Sequence, residues 1–231
     1  MPTPTGNEDL TGALTQAQSF AWDESIGYNM YGTRQFNPNC DCSSFVSNSL
    51  YLNGFNVQQF GNTYAIIQQL QSYQGFTEYI YTNGFVWQHG DIAVYDDRFD
   101  DPSTTSTKGH TFFYAEDVYG YTDSNWRIAS AARKSTLARA RIEASDTHGH
   151  PENGDQDNGH GAHTEVWIHN FYFDPGEHVW HIFRWQTAPG PIPPPTPPGP
   201  GPGPGPGPVF PSNKFPIWLL NKKFIKGLPI G

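Results

Sequence analysis

Apolar residues recur at helical spacing three times in the first third of the chain, then at two-residue spacing further on. Leu10, Ala13, Leu14, Ala17, Phe20 and Ala21 fall on one face of a helix predicted over residues 8–24. Within 37–54, Phe45, Val46, Ser49, Leu50 and Leu52 trace a second helical face. Pro38 and Asn39 mark the turn before it, Asp41 is placed to cap it, and Asn53-Gly54 ends it. Residues 62–72 predict a third, short helix capped by Asn62 or Thr63, while 26–36, punctuated by Gly and Asn, read as an extended loop. Strands are predicted over 76–81, 89–95, 109–116, 126–131, 164–173 and 178–185, with Ile92 and Val94 pointing to one face. The polar segment 96–108 and the Gly/His/Asp/Asn-rich segment 143–163 read as loops. Helices first and strands afterwards predict an α+β fold, helices packed on an antiparallel sheet of five or six strands.

Composition changes abruptly at residue 189. Residues 189–208 are only Pro and Gly apart from Ile192 and Thr196. Such a segment is a semi-rigid spacer reaching roughly 60 Å. The 23 residues beyond it, 209–231, are apolar and basic, with Trp218, Leu219, Leu220, Phe224 and Ile225 among four lysines. They are too few to build a core, and Pro216 and Gly227 confine any helix to about two turns. The sequence thus divides into a domain over 1–188, a linker over 189–208, and a docking or anchor peptide over 209–231 that orders on binding.

Charge is split along the same line. The net charge is −9, but all 22 acidic residues precede Pro189, and only nine of the 13 basic ones do. The body is therefore acidic, at −13, and the tail carries +4. An acidic body excludes nucleic acid as a partner, because phosphate demands the opposite sign. No run approaches the roughly 20 apolar residues of a transmembrane helix, and the first residues lack the basic and apolar regions of a secretory leader.

Two cysteines are present, Cys40 and Cys42, too close in sequence for an unstrained disulfide. Cys42 stands where the second helix begins, beside unpaired N–H groups and the positive end of the dipole, both of which favour thiolate. The small Ser43 and Ser44 leave backbone amides open for an oxyanion. Cys42 is the candidate nucleophile, against the alternative of a buried structural thiol. His110, at the head of an apolar strand, is the candidate base and acid, since imidazole titrates near working pH. Asp91 reads as a structural residue tying down the turn before its strand. His148, His150, His160, His163 and His169, with Asp155 and Asp157, supply metal-ligand residue types. Yet neither the helical His-Glu-x-x-His pattern nor a complete calcium loop is present, so the expectation is no metal and no cofactor.

A cysteine at a helix start followed by a Gly-Asp-Ile strand and a Gly-His strand resembles the papain-like peptidoglycan hydrolases of the NlpC and CHAP kinds. The bacteriophage N-acetylmuramoyl-L-alanine amidase branch is the nearer likeness, through Tyr28-Asn29-Met30, Arg34, Asp41-Cys42-Ser43-Ser44, Gly90-Asp91-Ile92 and Gly109-His110-Thr111. The likeness covers roughly residues 10–186. It implies a papain-like fold, with Cys42 as nucleophile and His110 as base, cutting an amide of peptidoglycan: either muramoyl-L-alanine or a stem-peptide bond. It also implies a phage protein, carried in the virion tail or held in the host cytoplasm before release, with residues 209–231 docking on tail proteins. Relatives place a polar residue on the strand after the base to orient the imidazole. Here the 126–131 strand offers Ser130, and His163 or Glu165 on the next strand are the other candidates. Two further readings share the fold: a catalytically degenerate tail plug or adhesin, and an endolysin acting at host lysis.

Overall fold

Asp41 and Asn62 each start a helix by the same device, a side-chain oxygen that accepts a first-turn N–H. Asp41 accepts from the Ser44 N–H at 2.6 Å while the Ser44 hydroxyl accepts the Asp41 N–H at 2.9 Å. This capping box opens α2, Cys42–Leu52, which closes at Asn53 before Gly54 at φ +85°. Asn62 accepts from the Ala65 N–H at 2.8 Å and opens α3, Thr63–Ser72. The first helix, α1, spans Leu10–Trp22.

The computed structural model describes residues 4–22, 26, 28, 40–121, 134–145, 165–187 and 190, apart from the side chains of Tyr121, Lys134 and Glu165. The chain divides into two units, Met1–Pro195 and Thr196–Gly231, and all described residues belong to the first. The Pro38-Asn39 turn, the predicted strand at 126–131 and the docking peptide at 209–231 lie outside the described residues.

Eight strands follow: β1 Phe76–Ile80, β2 Ile92–Asp96, β3 Gly109–Ala115, β4 Val118–Tyr121, β5 Lys134–Leu137, β6 Ala140–Ser145, β7 Glu165–Asn170 and β8 His181–Trp185. A four-residue helix, α4, Asp97–Asp100, interrupts the expected 96–108 loop. The sheet order is β1-β8-β2-β3-β6-β7-β4-β5. Its first six strands are antiparallel throughout, as the alternation predicts, so the α+β architecture holds. The β4–β5 hairpin joins the far edge through a single parallel pairing, Tyr121 with His169. One correction falls on the site: residues 143–145 are the end of β6 and not the start of a loop. Among the described residues no helix is long and apolar enough to cross a membrane.

The two faces of the sheet are covered differently. On one, Ile92, Val94, Phe113, Ile142, Ile168 and Phe183 meet the apolar stripes of α1, α2 and α3, including Leu14, Phe45 and Ile67. On the other, Ala93, Phe112, Tyr114, Trp180 and Ile182 are sealed by Trp87, with Phe171 and Phe173 packed against them. Strand alternation assigns each residue to its face, so a charged residue at an outward register position is carried into the aromatic layer.

Candidate active site

Cys42 is the first residue of α2, which packs on β3 and β6. Its sulfur lies 4.0 Å from the carbonyl oxygen of Gly109, the first residue of β3. The absence of a side chain at 109 makes room on its other side for Thr63 and Tyr95. A Cβ there would stand 2.3 Å from the Thr63 hydroxyl and 3.0 Å from the Tyr95 carbonyl oxygen. Thr63 opens α3 and donates to the buried Asp96 carboxylate at 2.6 Å. The ends of α2, α3 and β2 therefore converge on the residue that precedes His110.

His110 projects toward the aromatic face, its ring centroid 6.4 Å from Phe112 and 6.5 Å from Trp180. Its Nε2 is 2.7 Å from Oε2 of Glu143, a side chain with no solvent exposure. The Arg141 guanidinium donates to the same Oε2, and Nε2 of His169 lies 2.9 Å from Oε1. Arg141 also lies 4.1 Å over the Phe112 ring and donates to the Tyr172 carbonyl at 3.2 Å. Burial alone would raise the Glu143 carboxyl pKa; Arg141, His110 and His169 outweigh it and hold the group well below the usual carboxylate range. A carboxylate accepts only, so Nε2 of His110 donates to it, and the lone pair of the neutral ring is left on Nδ1. That is the nitrogen able to take a proton from a thiol.

The cysteine itself runs against the helix-dipole expectation. Burial pushes the Cys42 thiol well above its ordinary pKa, with Asp41 and Glu143 adding to the effect and the Thr111 and Ser43 backbones opposing it. Low dielectric outweighs the helix end here. The resting group is a neutral thiol whose hydrogen-bond contact, among the described residues, is the Gly109 carbonyl. Cys40 is buried two residues earlier, and neither cysteine forms a disulfide.

The structure thus brings Cys42 against residue 109 and ties His110 to a carboxylate that the sequence reading did not foresee. Of the orienters expected, Ser130 and His163 lie outside the described residues. Glu165 begins β7 opposite Ser145, two register positions from the Glu143–Trp167 pair, and its side chain is outside the description. The signal for Glu143 was the alternation Arg141-Ile142-Glu143-Ala144, two charges on one face and two apolar residues on the other. Asp91 is fully buried, accepts from the Gln88 N–H and forks with Arg184 at 2.8 Å, a structural role as expected. His148, His150, His160, Asp155 and Asp157 lie outside the described residues, whereas His169 sits on β7 and is committed to Glu143. Among the described residues no group of three or more His, Cys, Asp or Glu is arranged to hold a metal ion.

No family model matches this chain, and no curated protein matches it.

Proposed function

We propose that the protein is a cysteine-type peptidoglycan hydrolase, similar to the papain-like bacteriophage amidases, that cleaves a muramoyl-L-alanine or stem-peptide amide. One observation carries this reading: a buried carboxylate grips His110 through Nε2, and the thiol at the head of α2 abuts the residue just before it. Both features follow from residues far apart in sequence meeting at one strand end.

The chemistry runs as thiol attack with general-base assistance. Among the described residues no hydrogen bond joins Cys42 to His110, which projects toward the opposite face. Attack therefore requires the Cys42 side chain to leave the Gly109 carbonyl and the two groups to turn toward each other around the end of β3 when substrate binds. As sulfur bonds to the amide carbon, its proton passes to Nδ1. Because the thiol is neutral at rest, proton transfer accompanies attack instead of preceding it. The oxyanion accepts from backbone N–H groups at the start of α2, where the dipole favours negative charge. The imidazolium, stabilised by Glu143, then protonates the leaving amine as the C–N bond breaks. Water repeats the sequence on the thioester, releasing a carboxylate and restoring the thiol.

Zymography on purified cell walls tests the proposal: wild type and Cys40→Ala clear the wall, whereas Cys42→Ala and His110→Ala do not. Mass spectrometry of the released fragments identifies the bond. The burial of the thiol favours a second reading, a tail plug or adhesin that keeps the fold without turnover. Wild type that binds walls without clearing them, with Cys42 inert to iodoacetamide, establishes that reading. Residues 209–231 dock the protein to other tail components in either case. A chain ending at Pro195 then retains clearing but is lost from phage particles, and co-purification of the truncated chain with particles refutes the docking role.

A further inference from the structure

Glu143 is asked to serve three donors with two oxygens, and the division is uneven. Oε2 accepts from both His110 and Arg141, and Oε1 faces His169. Arg141 has a further donor in reserve: its Nε is buried and has no hydrogen-bond partner among the described residues. A guanidinium pairs best with a carboxylate through two parallel bonds. Were Oε1 released, Glu143 would rotate to give Arg141 that second bond, and His110 would lose its share of Oε2.

We propose that His169 is a positioning residue that prevents this rotation: by donating Nε2–H to Oε1 it keeps Oε2 facing His110 and so fixes the His110 proton on Nε2. His169 is itself immobilised. It is 2% exposed, its ring stacks on Trp167 at 4.0 Å, and Nδ1 lies 2.9 Å from the Asn170 carbonyl. Both ring nitrogens face acceptors, the Glu143 carboxylate at Nε2 and the Asn170 carbonyl at Nδ1. Burial lowers the His169 pKa against the pull of both, and a ring left with one proton places it on Nε2, toward the anion. Among the described residues, the charged or titratable groups acting on Glu143 are His110 from β3, Arg141 from β6 and His169 from β7, and Glu143 in turn acts on Cys42 of α2. The catalytic meaning of this role rests on the proposed thiol hydrolysis; the tautomer it sets does not.

The test uses full-length protein and two readouts. Nitrogen-15 NMR of the imidazoles reads the His110 tautomer, and wall-hydrolysis kinetics read kcat and KM separately. His169→Gln retains a donor near the Nε2 position, and His169→Phe keeps the stack on Trp167 without one. Wild type and His169→Gln are expected to show the Nε2–H tautomer, with kcat within about 3-fold of each other. His169→Phe should show mixed tautomers and lose kcat on the order of 10- to 100-fold at unchanged KM. Adding Arg141→Lys to His169→Phe removes the competing fork and should return the Nε2–H tautomer. If His169→Phe fails to fold, His169→Asn, whose amide reaches only the Nδ1 position, replaces it with the same expectation. A folded His169→Phe or His169→Asn with the wild-type tautomer overturns the proposal. Absence of hydrolysis by wild type instead defeats the functional reading and leaves the NMR result to decide the role of His169.

Discussion

Two histidines in this molecule are gripped by carboxylates on opposite faces of the sheet, and the two grips are built in reverse. His110 shares one carboxylate with another imidazole and a guanidinium, and that carboxylate is fully buried while the ring itself is 20% exposed. His181 lies between two carboxylates, Glu78 at 2.5 Å, which also accepts from the Gln71 amide, and Asp100 at 3.1 Å, and here the ring is the buried partner. The acids around His181 are wet, at 28% and 26% exposure, so water screens their field. What that cluster does well is fasten: together with His178 on Asp97 at 2.8 Å, it ties α4 to the region of β8. A dry carboxylate, by contrast, acts on its imidazole almost unscreened. The difference separates a site that controls a proton from a latch that holds a loop, although both show the same residue types at similar distances.

The largest effect that can break this comparison is removal of the sulfur. Cys42→Ala should leave no detectable wall clearing with the fold intact by circular dichroism, and residual clearing would move the chemistry elsewhere. Next, Glu143→Gln should lower kcat by roughly 10²- to 10⁴-fold, since an amide can no longer hold the Nε2–H tautomer as an anion does. It also leaves Arg141 buried beside a neutral group, at a cost of about 3 kcal/mol in urea unfolding at neutral pH. The acid limb sharpens the point. Glu143 has a folded-state pKa well below its ordinary 4.5, so its stabilisation is complete above that value. It is lost only as pH falls through the depressed folded-state value, so wild-type stability should decline below about pH 4.5 more steeply than that of Glu143→Gln. A smaller effect is expected across the sheet, where His181→Ala should cost about 1–2 kcal/mol by loosening α4 and leave kcat within about 3-fold. A collapse of kcat there would erase the distinction between latch and site. Smallest of all, EDTA should leave hydrolysis unchanged, and loss restored by Zn²⁺ or Ca²⁺ would count against the metal-free reading.

The sequence made the helical half of this site readable and left its electrostatic half hidden. Asp41, Cys42 and the apolar stripe of α2 announce themselves within a dozen residues, because capping and periodicity are local. Asn62 and α3 are legible for the same reason, and so is His110 at the head of an alternating strand. Glu143 is different. It reads as the opening of a polar loop because a charged residue normally seeks water. Its burial is compensated by His110, 33 residues away, and His169, 26 residues away. Only the order β3-β6-β7 brings those three together, and no local pattern encodes that order. The short α4 was equally invisible, since Asp97–Asp100 buries no residue and carries no periodicity to detect.

The bare position at Gly109 also restricts how this protein can be altered. With Thr63 and the Tyr95 backbone already pressed against it, even a methyl group would push α3 or displace the neighbouring imidazole. The segment just upstream is free of that constraint, because the Asp97 N–H closes it onto the Lys108 carbonyl at 3.0 Å as a self-contained loop. Added length and polarity should therefore be tolerated within residues 101–107 and not at the first residue of β3.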